Sequence, residues 1–319
     1  MKILAIQNRM GIGDMVIFLP YIEAIAKKFK SNVTILAKEN TKADQLIKEN
    51  KYINQIIILR RSNTKKDCHD GFAGFFKLAS DLKKHKFDKA IIFNSSLRYN
   101  LVCKLAGIKE IYQYPLFRKK NQHITEPANN LIKEKFNLTA PGDPKIDINE
   151  KDMSNVRKKL NFNNNSINIL LGIGGSGPTK RIPADKFIKL IDLCIKDFNC
   201  RFFLGTGNNK EELEIMNEIL NAHENKCVPL NKLNIVDTLP IIKNCDVAVC
   251  NDSSFSHLSA GLGKPTIVLM ADTPMIYGSY NSKMRIITPD GFDYVTHGTN
   301  GKNYINPEKI FNILKTIIS

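Results

Sequence analysis

Asp14 is a carboxylate in an unusual position, because it directly follows two glycines in the stretch GIGDMVIFLP, where a short apolar strand runs into a helical pattern. Glycines at such a turn commonly bring backbone N–H groups to a phosphate, which a carboxylate would repel. The dinucleotide spacing G-x-G-x-x-G also fails, since Val16 stands where a third small residue is needed. Two roles stay open for Asp14: a general base at the mouth of a sheet, or an N-cap that complements the helix dipole.

A second glycine cluster, GIGGSGPTKRIP, follows an apolar strand and contains the spacing G-x-G-x-x-G through Gly172, Gly174 and Gly177. A dinucleotide is disfavoured here, because the position about 20 residues further on lies within a predicted helix and no acidic residue ends a second strand. Lys180 and Arg181 follow instead and could bind a phosphate, the lysine as a point charge and the arginine bidentately. The alternative is a solvated turn before the next helix.

The third stretch, NDSSFSHLSAGLGKP, follows a strand that ends at Cys250 and opens a short helix near Ser254. Ser253, Ser254 and the first N–H groups of that helix would form an anion site. His257 falls in the first turn, where it could face the same ligand or be a structural histidine.

These three stretches together suggest group transfer from a diphosphate. A general base would deprotonate an acceptor hydroxyl, while a positively charged cradle would stabilise the departing diphosphate.

The elements that must position these groups are short β-rich runs alternating with helical patterns, which is typical of βαβ units in a parallel sheet. The predicted strands lie at 2–6, 33–36, 55–59, 90–93, near 111, 167–172, 201–204, 226–228, 246–250 and 265–270. The pattern weakens between about 115 and 165, so we predict an α/β protein of two doubly wound domains, 1–150 and 151–319, with a cleft between them. The last helix, about 307–318, could pack back on the first domain.

Length and composition agree with this architecture, since 319 residues suffice for two domains and 43% apolar with 24% charged residues is typical of a soluble globular protein. The N-terminal apolar run is too short for a signal peptide, and no run reaches the roughly 18 apolar residues of a membrane span. We therefore expect a cytoplasmic protein. Seven scattered cysteines without a C-x-x-C pair favour reduced thiols.

A net charge of +16, most of it in the first half of the chain, indicates an acidic partner or simply a biased composition. Nucleic acid is a poor candidate, because the chain has no basic helix of regular spacing and no aromatic platform.

The three stretches together resemble glycosyltransferase family 9, the ADP-heptose:lipopolysaccharide heptosyltransferases. The family's opening G-D-x-x-x-x-x-P is similar to GDMVIFLP at 13–20, and its G-x-x-x-x-x-K-x-W-P element resembles GGSGPTKRIP at 174–183. Its D-[ST]-G-x-x-H-L-x-A-A-L-x-x-P element resembles DSSFSHLSAGLGKP at 252–265. The three matches occur in the family's order and with its spacing.

The resemblance implies a GT-B fold and metal-independent, inverting transfer of a heptose from a nucleotide sugar, ADP-heptose, to the inner core of lipopolysaccharide. Asp14 would then be the general base, and Lys180 would contact the diphosphate or the donor sugar. The implied donor-binding residues are Gly174, Gly175, Ser176, Lys180, Arg181, Asp252, Ser253, Ser254 and His257. Because the chain has no D-x-D, we expect no metal and no cofactor beyond the donor itself.

Three positions depart from the family's pattern. Ile182 replaces the tryptophan of K-x-W-P, Ser254 replaces the glycine of D-[ST]-G, and a family acidic residue matches Glu211 or Glu212 only loosely. The alternatives are therefore a GT-B glycosyltransferase that uses another nucleotide sugar, or an NDP-sugar epimerase.

An acidic, membrane-anchored glycolipid acceptor would give the basic first half a role. We expect acceptor contacts from residues at strand ends, namely Gly13, Arg60, Arg61, Arg98, Arg118 and Lys120. We also expect weak peripheral attachment to the anionic inner membrane, a cytoplasmic location and a monomeric state.

Overall fold

The computed structural model describes residues 1–9, 11–61, 68–116, 123–162 and 165–318. The chain divides into two compact units, Met1–Pro144 and Lys145–Ser319, a few residues before the boundary expected from the sequence.

The first unit is built on a five-stranded parallel sheet of order β3-β2-β1-β4-β5. Its strands are β1 (Ile3–Gln7), β2 (Val33–Lys38), β3 (Ile53–Leu59), β4 (Lys89–Ile92) and β5 (Glu110–Gln113). Its helices are α1 (Ile12–Phe29), α2 (Ala43–Leu46), α3 (Gly71–His85), α4 (Leu97–Leu105) and α5 (Glu126–Phe136). The strand order reverses between β1 and β4, so the turn after β1 lies at the switch point where doubly wound sheets bind ligands.

The second unit contains a six-stranded parallel sheet of order β11-β10-β9-β6-β7-β8. Its strands are β6 (Ile167–Gly172), β7 (Cys200–Gly205), β8 (Cys227–Pro229), β9 (Val247–Asn251), β10 (Thr266–Leu269) and β11 (Met284–Ile287). Its helices are α6 (Glu150–Lys159), α7 (Ala184–Asp197), α8 (Lys210–His223), α9 (Ile235–Asn244), α10 (Ser254–Gly261) and α11 (Pro307–Ile318). The switch point lies between β6 and β9, and the glycine-rich turn follows β6.

The predicted doubly wound α/β class is confirmed in both units. Strand β11 was missed, because it is short and carries the exposed Arg285 at its centre. The stretch expected to connect the domains, about 115–165, contains two helices, α5 and α6. Helix α5 packs on α1 in the first unit, and helix α6 packs on α9 in the second. Helix α11 packs on α7 within the second unit.

Burial explains why the strands form where they do. All five residues of β1 and of β9 are buried, as expected for central parallel strands covered by helices on both faces. Helix α1 continues through Pro20, which lies near its middle, and buries its apolar side against the sheet.

All seven cysteines are free thiols, and burial raises the pKa of Cys103 and Cys194 to about 12, which keeps them protonated. Among the helices in the described residues, none is both long enough and apolar enough to cross a membrane.

Candidate active site

Asp14 lies in the first turn of α1, directly after the central strand β1. The helix begins at Ile12 with Gly11 as its N-cap, so the interpretation of Asp14 as the N-cap is wrong. The Asp14 side chain instead stabilises the first turn from the third helical position, because Oδ2 accepts a hydrogen bond of 3.0 Å from the N–H of the N-cap residue Gly11. The N-cap position requires extended backbone, which Gly11 adopts while Asp14 is already helical.

Arg9, which was not among the predicted site residues, contacts the same carboxylate. Arg9 Nη1 lies 3.2 Å from Asp14 Oδ1, and the Asp14 side chain keeps 22% of its surface exposed. The helix dipole and this guanidinium both stabilise the negative charge on Asp14. The arrangement presents a partly exposed carboxylate at the switch point, which suits proton acceptance from a hydroxyl.

Two further cations, Lys38 and Arg61, lie at the carboxyl edge of the first sheet. Lys38 ends β2, and its pKa is lowered by burial and by the nearby Arg61, against opposing effects of Asp70 and Asp14. Arg61 Nε donates to Asp70 Oδ1 at 2.6 Å, a hydrogen bond that raises the pKa of Arg61. Because these groups interact electrostatically with one another, this edge forms one basic region beside the carboxylate.

The predicted acceptor contacts fall in different parts of this unit. Gly13 is buried within α1, while Arg60 and Arg61 are exposed directly after β3. Arg98 lies in the first turn of α4, where Nη2 donates to the His69 carbonyl at 2.7 Å. Arg118 and Lys120 lie outside the described residues.

The glycine-rich turn after β6 is held by a buried carboxylate from α8. Glu212 Oε1 accepts a hydrogen bond of 2.8 Å from the Gly175 N–H, and the Glu212 side chain is only 8% exposed. Asn251, at the end of β9, donates from Nδ2 to the carbonyls of Ile173 and Gly174, at 2.7 and 3.3 Å. The loop is therefore ordered before any ligand binds.

Asn251 was not predicted from the sequence to have a role, and Glu212 matched a family acidic residue only loosely. The local sequence does place Glu212 at a helix start, because Asn209 at the N-cap and Glu212 three residues later resemble a capping box. No local sequence pattern predicts the contacts of Asn251, since its two partners lie 77 and 78 residues away.

Arg181 supports the same loop. Its Nε donates to the Gly175 carbonyl at 3.0 Å, and its Nη1 is paired with Glu211. Its assignment as a phosphate ligand stays a prediction. Ile182, which replaces the family's tryptophan, is fully buried in the core of the second unit.

Lys180 and Asp252 form an ion pair at the carboxyl edge of the second sheet. Nζ lies 2.8 Å from Oδ2, and the side chains are 23% and 7% exposed. Burial alone would raise the pKa of Asp252, but Lys180, the Thr273 hydroxyl and His257 together hold it below its usual value. Asp252 is thus an ionised group that fixes Lys180 beside the glycine-rich turn.

The start of α10 adjoins this pair. Ser253 is the N-cap and Ser254 the first helical residue, so the first N–H groups of the helix open towards the strand ends. Ser253 Oγ is a buried hydroxyl for which the described residues supply no hydrogen-bond partner. His257 is oriented by Tyr280, whose hydroxyl lies 2.7 Å from Nδ1 and whose ring stacks on the imidazole. Gly174, Gly175, the exposed Ser176 and these groups lie at one edge of one sheet.

We expect Gly174→Ala to weaken nucleotide binding and to lower the melting temperature. A Cβ at this position would lie 2.8 Å from Glu212 Oε1 and 3.2 Å from the Thr206 Cα, so the ordered loop would have to shift. Overpacking of this kind typically costs about 1–3 kcal/mol. Thermal unfolding and calorimetric titration with ADP measure both effects. Gly177→Ala is the matched control, because its Cβ would meet nothing within 4 Å, and equal losses in both variants would contradict the loop's role.

No group of three or more His, Cys, Asp or Glu is placed to hold a metal ion within the part of the chain that the structure describes.

Comparison with known proteins identifies the family. Residues 75–290, more than half of the chain, match the family model described as Glycosyltransferase family 9 (heptosyltransferase). The chain belongs to glycosyltransferase family 9. This family 9 match includes Lys180 and Asp252 and begins after Asp14.

A curated relative extends the similarity to the N-terminal part. Lipopolysaccharide heptosyltransferase 1 of Campylobacter coli is 22% identical over 317 residues, which cover 91% of this chain and 90% of the relative.

Solved structures of heptosyltransferases share the fold. The ADP-heptose lps heptosyltransferase II of E. coli has a TM-score of 0.78 at 19% identity and matches over 100% of this chain and 98% of its own. The E. coli heptosyltransferase WaaC with ADP has a TM-score of 0.73 at 15% identity and matches over 99% of this chain and 100% of its own. The predicted GT-B fold is confirmed, and the chain is a family 9 glycosyltransferase.

Proposed function

We propose that this glycosyltransferase transfers a heptose from ADP-heptose to the inner core of a lipopolysaccharide acceptor. The observation that carries the proposal is the convergence of Lys180, the ordered glycine-rich turn and the start of α10 at the switch point of the second sheet. The names of the Campylobacter relative and of the two E. coli structures support heptose, ADP and lipopolysaccharide as the chemistry.

The second unit would bind the donor. A diphosphate carries negative charge that a helix N-terminus and a lysine ammonium both stabilise. Lys180 is held ready for this contact by Asp252, beside the exposed Ser176 of the glycine-rich turn. When the sugar–phosphate bond breaks, the same groups stabilise the charge that develops on the departing ADP.

The first unit would bind and activate the acceptor. Asp14 accepts the proton of the acceptor hydroxyl as its oxygen attacks the anomeric carbon, and ADP leaves from the opposite face, which inverts the configuration. The proton ends on the Asp14 carboxylate, and the bonding pair of the broken bond ends on the phosphate oxygen. The basic region of Lys38 and Arg61, together with Arg98, would attract the acidic groups of the acceptor.

Metal independence is part of the proposal. The chain has no D-x-D, and Lys180 with the helix N–H groups supplies positive charge where other nucleotide-sugar enzymes use a divalent cation. We further propose that the enzyme acts as a monomer on the cytoplasmic side of the inner membrane, attached peripherally at an anionic surface, since its acceptor is a glycolipid.

A screen of ADP-, UDP- and GDP-sugars tests the donor assignment. We expect the ADP series to raise the melting temperature most, because a ligand that binds only the folded state stabilises it by mass action. We also expect EDTA to leave both the shift and the transfer rate unchanged.

Two outcomes would contradict the assignment. One is a larger stabilisation by UDP- or GDP-sugars. The other is conversion of the nucleotide sugar to an epimer when no acceptor is present, which would indicate an NDP-sugar epimerase instead.

A further inference from the structure

Helices α3 and α4 of the first unit expose an unusual amount of apolar surface. They lie together on the sheet, with Leu78, Leu82, Val102 and Cys103 buried in a common core. Their outward sides carry large apolar side chains with high exposed fractions: Phe72 84%, Phe76 47%, Leu97 54%, Leu101 43% and Leu105 50%. We call these five residues the apolar face.

The spacing shows an apolar stripe on each of these two packed helices rather than scattered residues. Leu97, Leu101 and Leu105 recur every four positions along α4, and Phe72 and Phe76 are four positions apart on α3. The two phenylalanine rings contact each other edge to face with centroids 5.0 Å apart. Single exposed apolar residues are ordinary, but a contiguous patch marks an interaction surface.

Charge identifies the partner that fits the apolar face. The cations on the two helices are Lys77, Lys83, Lys84, Arg98 and Lys104, whereas Asp81 is their one acidic residue. Asp81 is itself neutralised by Lys84 at 2.8 Å. Apolar side chains flanked by Lys and Arg are the composition that binds an anionic membrane interface.

The apolar face also lies next to the proposed reaction site. The N-cap of α3 is Asp70, which pairs with Arg61, and Arg98 in the first turn of α4 donates to the His69 carbonyl. The N-terminal ends of both helices, with Phe72 and Leu97, therefore lie at the sheet edge that carries the basic region. A surface that contacts the apolar face would lie close to that edge.

We propose that the apolar face of α3 and α4 docks on a bilayer of anionic phospholipid, with its five side chains in the headgroup and acyl boundary and its cations on the headgroups. The proposal rests on the proposed function only in that the acceptor is a membrane glycolipid. Docking itself requires neither donor nor acceptor, so it can be measured without turnover.

Vesicle binding tests the proposal directly. We expect the protein to co-sediment with vesicles made of phosphatidylglycerol and phosphatidylethanolamine. It should bind vesicles of pure phosphatidylcholine only weakly. The double variant Phe72→Ser/Leu101→Ser should bind the anionic vesicles at least about tenfold more weakly, because it removes two side chains that would enter the interface. Both positions are exposed, so the melting temperature should stay unchanged.

The matched control is Leu233→Ser, which removes an exposed leucine of the second unit, and it should bind vesicles like the parent protein. Unchanged vesicle binding by the double variant would overturn the proposal. So would a concentration-dependent dimer, seen by sedimentation, that the double variant abolishes, because the apolar face would then be covered by a second copy of the chain.

Transfer assays separate this proposal from the proposed function. With a water-soluble, delipidated acceptor, the double variant should keep the parent turnover, whereas with acceptor embedded in vesicles its KM should rise about tenfold or more. Vesicle binding without any heptose transfer by the parent protein would refute the function and leave the docking surface standing.

Discussion

Asp14→Asn is expected to lower turnover by about 10²- to 10⁴-fold, the usual contribution of a general base. The amide is nearly isosteric with the carboxylate and can still accept the Gly11 N–H, which now donates to Oδ2 at 3.0 Å. Folding and the first turn of α1 should therefore survive, while the group that takes the acceptor proton is lost. Affinity for ADP should be unchanged, because the donor-binding groups belong to the second unit.

Steady-state kinetics with calorimetric ADP titration measure the two quantities separately. Asp44→Asn, a matched change on the short helix α2, should retain parent turnover. If Asp14→Asn turns over normally, another group must accept the proton and the mechanism proposed for the first unit fails.

Lys180→Met is expected to weaken ADP binding by about 10- to 100-fold, the value of a charge-assisted hydrogen bond of roughly 1.5–3 kcal/mol. It should also destabilise the second unit, because Asp252 is buried and loses the ammonium 2.8 Å away. Breaking a fully buried pair costs about 3–5 kcal/mol. Since the Lys180 side chain is 23% exposed, we expect Lys180→Met to lower the free energy of unfolding by about 1–3 kcal/mol.

The pH dependence of stability distinguishes loss of the Lys180–Asp252 ion pair from a simple packing defect. In the parent protein Lys180 holds the pKa of Asp252 low, so the stability from the pair is present above the ordinary aspartate pKa of about 3.9 and is lost as the pH falls through the folded value. In Lys180→Met only the Thr273 hydroxyl and His257 oppose the effect of burial, so the pKa of Asp252 rises. The difference in free energy of unfolding between the parent protein and Lys180→Met should therefore shrink as the pH is lowered from 8 towards about 4.5.

The double variant Lys180→Met/Asp252→Asn provides the control. It removes the unpaired charge, so much of the free energy of unfolding should return, while ADP affinity should stay low. Recovery of ADP binding in the double variant would contradict a direct contact between Lys180 and the donor. Urea denaturation at several pH values and calorimetry supply the measurements.

The α/β class and most strands were predictable because their signals are local. Strand β6 was placed at 167–172 and the last helix at 307–318, as the structure has them. Both have strong periodicity, and strand-helix alternation restricts the topology to parallel, doubly wound sheets. Strand β11 lacked such a signal, since an edge strand of four residues needs no long apolar run.

The role of Asp14 within its helix was not predictable in the same way. The local sequence allows it to be an N-cap or the third residue of the helix, and the two differ only in where the backbone turns. The structure begins α1 at Ile12, which leaves Gly11 extended and brings the Asp14 carboxylate onto its N–H. The partner Arg9 was overlooked because its side chain reaches Asp14 only once that turn has formed.

What the sequence by itself determined is the fold class and the positions of the three chemical stretches, because periodicity, glycines and charged residues act within a few neighbouring residues. Only the tertiary structure decided which of these groups meet. Lys180 and Asp252 are 72 residues apart, and Gly175 and Glu212 are 37 apart, yet parallel pairing brings the ends of β6, β7 and β9 to one edge. Likewise, the leucines of α4 become a membrane-docking candidate only because the opposite side of that helix, with Val102 and Cys103, is the side that the sheet buries.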